Sequence, residues 1–315
     1  MLRAFVFPGQ GSQAVGMGRA LGDAFPVARA VYQEVDDALG QNLSALMAEG
    51  PGDALTLTEN AQPALMAVSM AVVRILESRG LDLATAASFV AGHSLGEYAA
   101  LCAAGALSIT DTARLLRIRG RAMQQAVPVG EGAMAALLGL DLEEARAIAA
   151  EAARDGGVCQ AANDNAPGQV VISGSRAAVE QAIAIAVSRG ARRPVVLPVS
   201  APFHCALMQP AADAMAEALA SVAIAPPVVP VVANVTAAAV QDPDTIRRLL
   251  VEQVTGAVRW RESVLYMKEQ GVTDLVECGA GKVLTGLARR IDRDMSAQAL
   301  NTPEDIDAFF TTSVA

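Results

Sequence analysis

The chain has 315 residues, 53% of them hydrophobic, enough apolar side chain for one large domain or a large one carrying a smaller insertion. A formal net charge of −9 argues against nucleic acid as the main partner, and every apolar run is broken by charge, Gly or Pro before it is long enough to span a membrane. Cys102, Cys159, Cys205 and Cys278 are scattered without metal-type pairing and read as reduced thiols of a cytoplasmic protein.

Residues 5–13, Phe-Val-Phe-Pro-Gly-Gln-Gly-Ser-Gln, predict a short strand running into a Gly-rich loop. No G-x-x-x-x-G-K-[ST] follows, so this is not a phosphate loop. It is either a plain turn or a loop at the carboxyl end of a central strand, where α/β sites form. The start of the chain lacks the length of a signal-peptide core. From Val15 to Gly80 the pattern is mostly helical, interrupted at residues 49–53. A helix beginning near Thr58 carries Gln62, which faces a site or, as is commoner, meets solvent or caps locally.

The stretch that organises the chain follows. Residues 89–100 pass from an apolar strand through Gly92-His93-Ser94-Leu95-Gly96 into an Ala-rich helix. In that context G-x-S-x-G is a nucleophile elbow. Gly92 and Gly96 let strand and helix pass closely, and the turn exposes the Ser94 hydroxyl and aims backbone N–H groups at a developing oxyanion.

Residues 112–125 predict a helix with four arginines. At roughly 100° per residue, Arg114, Arg117 and Arg121 share one solvated face, while Arg119 lies about 140° away among Leu115, Leu116, Ile118, Ala122 and Met123. A guanidinium aimed at a core needs an anion. That anion is either a structural carboxylate or the carboxylate of a substrate, unless the side chain snorkels out.

Residues 128–199 change character. Strands over 132–140, 158–162, 169–173 and 194–199, with helices over 141–154 and 176–189, give the β-α-β-β-α-β order of a ferredoxin-like unit. A turn is expected over 163–168. The unit reads as an insertion, because α/β signals resume after it. His204 then lies in a loop. With only two histidines in the chain and His93 expected to diverge from its neighbour Ser94, His204 remains as the general base for the serine. No second histidine is left to build a metal site. Beyond it come a Pro-broken strand over 226–233, a loop over 252–256, a strand-to-Gly turn over 273–281, and a tail helix with Thr302 as N-cap.

Together these motifs resemble the malonyl-coenzyme A:acyl-carrier-protein transacylases of type II fatty acid synthesis over nearly the whole chain. The likeness runs through residues 7–13, Gln62-Pro63-Ala64-Leu65, Gly92 to Tyr98, Arg119-Gly120, residues 165–169, Pro202-Phe203-His204 and residues 281–287. It implies an α/β fold: an α/β-hydrolase-like large subdomain with a parallel sheet (1–127 and 200–315) and an inserted ferredoxin-like subdomain (128–199). It also implies roles: Ser94 is acylated, His204 is its base, and the backbone N–H groups of Gln10 and Leu95 hold the oxyanion. Arg119 binds the malonyl carboxylate, the main-chain carbonyl of Gln253 orients the histidine, and Phe203 crowds out an α-methyl group. Malonyl-CoA and acyl carrier protein are then the two substrates, with no metal and no cofactor beyond the partner's phosphopantetheine. A monomer is implied. Arg114-Arg117-Arg121, Arg192-Arg193 and Arg289-Arg290 are candidate docking patches for an acidic carrier. Ala280 departs from the family, where proline is common. The rivals are a malonyltransferase of malonate decarboxylase or of a polyketide synthase, a serine esterase or patatin-like lipase, and a silent carrier-binding module.

Overall fold

The computed structural model describes residues 2–154, 156–191 and 194–313. Ala4, Phe5, Val6 and Phe7 are buried in succession, the pattern of a strand covered on both faces. They belong to β1 (Leu2–Phe7), one of two central strands of a six-stranded sheet. The other is β2 (Phe89–Gly92), and β7 (Val231–Ala233), β8 (Ala238–Val240), β9 (Val272–Cys278) and β10 (Ser296–Leu300) complete it. The order is β10-β9-β1-β2-β7-β8, parallel except for the β7–β8 hairpin. Phe7 is paired with Gly92, so the Gly-rich loop after β1 and the elbow after β2 leave the sheet side by side at its carboxyl edge. The long Thr58–Ser78 helix is buried along most of its length and packs against the Gly96–Ala103 and Ile109–Gln125 helices.

The second sheet has the order β4-β5-β3-β6, built from β3 (Gly132–Leu138), β4 (Cys159–Ala166), β5 (Gln169–Ser175) and β6 (Val195–Val196), with helices Leu142–Ala152 and Arg176–Ser188 after β3 and β5. This is the antiparallel ferredoxin-like unit. Asp141 and Glu144 form a capping box at the first of its helices.

Several local expectations change. The segment 163–166 is strand, not turn, because its backbone has a second neighbour: Asp164 N–H donates to Val258 O (2.9 Å) and Val258 N–H to Ala162 O (2.8 Å). The turn shrinks to Pro167-Gly168. Strands expected over 194–199 and 226–233 reduce to β6 and β7. Gln253 lies in the Pro243–Thr255 helix rather than in a loop. Arg117 is buried instead of solvated, and Ile118 is 41% exposed. The start of the Thr58 helix lies across that face, with Glu59 3.9 Å from Arg117 and 2.6 Å from Arg121.

Two links tie the sheets together beside the elbow. Arg261 pairs with the buried Asp164 at 2.9 Å, and His93 Nε2 lies 2.8 Å from Asn165 Oδ1.

Candidate active site

Ser94 sits between β2 and the Gly96–Ala103 helix with φ +54°. A non-glycine residue in that region costs about 1–3 kcal/mol and persists only where its surroundings fix it. Here the Ser94 N–H donates to Asn234 Oδ1 (2.7 Å), and Asn234 Nδ2 donates to Gly92 O (2.6 Å). The crossing is tight. A Cβ on Gly92 would stand 1.9 Å from the Gly96 backbone, and one on Gly96 would stand 2.2 Å from Phe7 O.

His204, also at positive φ (58°), brings Nε2 to 2.7 Å from Ser94 Oγ. Its Nδ1 faces the carbonyl oxygens of Gln253 (2.9 Å) and Gly256 (3.1 Å). Carbonyls only accept, so Nδ1 carries the proton and Nε2 is left to accept from the serine hydroxyl. Those carbonyls are at the C-terminus of the Pro243–Thr255 helix, where no intrahelical donor remains for them. Burial, reinforced by the Arg119 charge, lowers the His204 pKa to about 3, which keeps the imidazole neutral.

Arg119 is 1% exposed. Its Nη1 donates to Gln62 Oε1 (2.8 Å), and its Nη2 to Gln253 Oε1 (2.8 Å) and Ser94 Oγ (3.1 Å). The guanidinium lies 5.7 Å from the centre of the Tyr98 ring, and its buried Nε has no partner among the described residues. No carboxylate among the described residues hydrogen-bonds it. The nearest charge of opposite sign on its network is Glu97, reached through Gln253. Burial raises the Glu97 pKa to about 7, against hydrogen bonds from Gln253 and Asn234 and the Arg119 charge.

A cavity of about 400 Å³ opens over the serine between the two sheets, lined by Gln10, His93, Ser94, Asn163, Phe203 and His204 among others. Its far wall comes from Met134 and residues 197–199 of the ferredoxin-like unit. Among the described residues, the backbone N–H groups of Gln10 and Leu95 meet no acceptor. No group of three or more His, Cys, Asp or Glu among those residues could hold a metal ion.

The acyl transferase domain family matches residues 4–300. The malonyl CoA-acyl carrier protein transacylase of Escherichia coli is 48% identical over 305 residues, 97% of each chain. That of Bacillus subtilis is 44% identical over 309 residues, 98% of this chain and 96% of its own. The chain belongs to this transacylase family. The crystal structure of the Bartonella henselae acyl-carrier-protein-S-malonyltransferase matches with a TM-score of 0.97 at 58% identity, over 100% of both chains. A further solved relative is a type II PKS acyl-carrier protein in complex with its malonyl-transacylase. It matches with a TM-score of 0.96 at 44% identity, over 99% of this chain and 100% of its own.

In this transacylase the sequence-predicted residues Ser94, His204, Arg119, Gln62 and Gln253 form one hydrogen-bonded cluster. Gln10 and Phe203 line the cavity in front of it, and Leu95 is buried behind the serine. His93 diverges from Ser94 toward Asn165 and Trp260. Sequence reasoning missed Asn234, Glu97, Asn163 and Asn165. Asn234 carried only a sequon-like signal. Glu97 was legible as an acid directly after the elbow, but nothing in the sequence shows that it is buried.

Proposed function

We propose that this chain transfers the malonyl group of malonyl-CoA to the phosphopantetheine thiol of an acyl carrier protein, supplying fatty acid synthesis. One observation carries the reading: a buried guanidinium with no carboxylate partner among the described residues is aimed at the nucleophile. An acyl group placed there with a neutral tail would leave that cation uncompensated, which disfavours an esterase or lipase. A malonyl carboxylate compensates it.

Ser94 Oγ attacks the thioester carbonyl while its proton passes to His204 Nε2. The Gln10 and Leu95 N–H groups stabilise the tetrahedral oxyanion. The C–S bond breaks, and the coenzyme A thiolate takes the proton from His204. The carrier thiol then attacks malonyl-Ser94 by the reverse sequence. Arg119, held by Gln62 and Gln253, grips the free carboxylate, and Phe203 narrows the cavity against a branched acyl group. The chemistry uses only these groups and the two thiols, so no resident metal or cofactor is required. The solved complex of a related transacylase with its carrier protein supports the partner. We take the protein as a monomer, as the family resemblance implies, and four buried free thiols support a cytoplasmic setting. We also take 1–127 with 200–315, and 128–199, as the two subdomains whose junction forms the cavity.

The test is intact mass after mixing with malonyl-CoA and then with phosphopantetheinylated carrier protein. The wild-type protein gains one malonyl group and loses it to the carrier, and S94A gains none. R119A is acylated at least about thirtyfold more slowly, since removing one partner of a buried charge pair costs ~2 kcal/mol or more. An adduct lost to water rather than to the carrier overturns the transferase reading.

A further inference from the structure

Glu97 lies just past the elbow, in the first turn of the helix that follows Ser94, and is 3% exposed. Burying a carboxyl is costly, and the transfer chemistry above gives it no task. Its Oε2 accepts two hydrogen bonds, from Gln253 Nε2 (2.8 Å) and from the Asn234 N–H (3.0 Å). Each donor residue reaches the reacting groups. Gln253 also donates from Nε2 to Ser94 O (2.9 Å), accepts from Arg119 at Oε1 (2.8 Å), and faces His204 Nδ1 with its main-chain oxygen (2.9 Å). Asn234 accepts the Ser94 N–H (2.7 Å).

We propose that Glu97 is a positioning residue that sets the amide orientation of Gln253 and, through it, the placement of Arg119 for the substrate carboxylate. The proposal rests on the malonyl-transfer reading. A glutamine amide has two ends of similar shape and opposite hydrogen-bonding character. Glu97 Oε2 takes the Asn234 N–H, which can only donate, so it stays an acceptor and holds the Nε2 end of Gln253, leaving Oε1 toward the guanidinium. With an amide at 97 the oxygen at that place is always neutral and its hold on Gln253 Nε2 weakens, which leaves Ser94 O as the main anchor. The Gln253 side chain is then less fixed, and Arg119 loses a firmly placed acceptor and its fixed approach to Ser94.

The experiment is a double-mutant cycle on malonyl-CoA acylation, with melting temperatures recorded for each protein. E97Q, nearly isosteric, raises KM for malonyl-CoA about tenfold or more with a smaller change in kcat. Q253A keeps the main-chain oxygen under His204 and shows the same KM defect. E97Q/Q253A is no worse than Q253A, because Glu97 has nothing left to orient. A purely structural carboxyl would instead give multiplying defects. Wild-type KM in E97Q, or additivity in the cycle, overturns the proposal. Should E97Q fail to fold, E97D keeps the charge but shortens the reach and takes its place. Failure of the transfer reading would appear in the wild type as no malonyl adduct. Whatever the acyl group, E97Q changes Ser94 labelling by a neutral fluorophosphonate far less than it changes KM for malonyl-CoA, since that reagent offers Arg119 no carboxylate, and an equal loss in both overturns the proposal.

Discussion

His204 shows how a single residue is tuned by where it is placed. Its pKa falls from 6.5 to about 3 because burial and the Arg119 charge both oppose protonation. The folded protein therefore binds fewer protons there than the unfolded chain as pH drops below 6.5. The associated stability is complete above 6.5 and is lost on the way down to 3, at about 1.4 kcal/mol per pH unit. Glu97 has the opposite sign. Its raised pKa stabilises the fold below its ordinary value near 4.5, and that contribution fades as pH rises through about 7. H204N removes only the first effect. Urea titrations at pH 7 and pH 5 are expected to show wild type losing about 2 kcal/mol more than H204N over that interval. Parallel losses would mean that His204 is not buried as a neutral base.

At the scale of elements, the site depends on how closely two helices approach. A Cβ on Gly120 would stand 2.6 Å from Glu59 Cα and from Thr58 O. Gly120 follows Arg119 in one helix, and Thr58 and Glu59 begin the helix that carries Gln62, so this approach sets the distance between the guanidinium and its amide partner. G120A is expected to force the helices apart, costing about 1–3 kcal/mol by overpacking, and to raise KM for malonyl-CoA while Ser94 still reacts with a neutral fluorophosphonate. Equal loss in both reactions would show that the elbow, rather than the Arg119–Gln62 pair, depends on this packing. The Pro243–Thr255 helix contributes differently, through its end: C-terminal carbonyls without intrahelical donors become the acceptors that orient His204.

For the whole molecule, the question is where an acidic carrier docks. Of the three arginine clusters, Arg114-Arg117-Arg121 is largely engaged, with Arg117 buried and Arg121 paired to Glu59. Arg192-Arg193 lies outside the described residues. Arg289 and Arg290 are exposed in the last turn of the Val283–Ile291 helix, and Arg290 donates to Gln169 at the start of β5 in the other sheet. R289E/R290E is expected to raise KM for the carrier roughly two- to thirtyfold, as two rim pairs of about 0.2–1 kcal/mol each, and to leave acylation by malonyl-CoA unchanged. An unchanged carrier KM would move docking elsewhere.

The local patterns carried much of this protein on their own. The elbow was legible because close passage of strand and helix demands glycine at both ends of Gly92–Gly96. The inserted unit was legible because its strands and helices alternate with distinct periods. His204 was the only histidine left to act as base. What periodicity could not decide was the partner of each buried polar group. Arg119 was visibly on an apolar face, but whether it met a carboxylate depended on side chains from three other helices. Arg117 looked solvated until a neighbouring helix covered it, and residues 163–166 looked like a turn until Val258 supplied a second set of backbone partners. Glu97, Asn234 and Gln253 acquire their roles only where β2, β7 and the Pro243–Thr255 helix converge. Sequence fixes what each segment prefers, whereas hydrogen bonds between distant segments depend on tertiary packing, and the placement of Arg119 and His204 rests on those bonds.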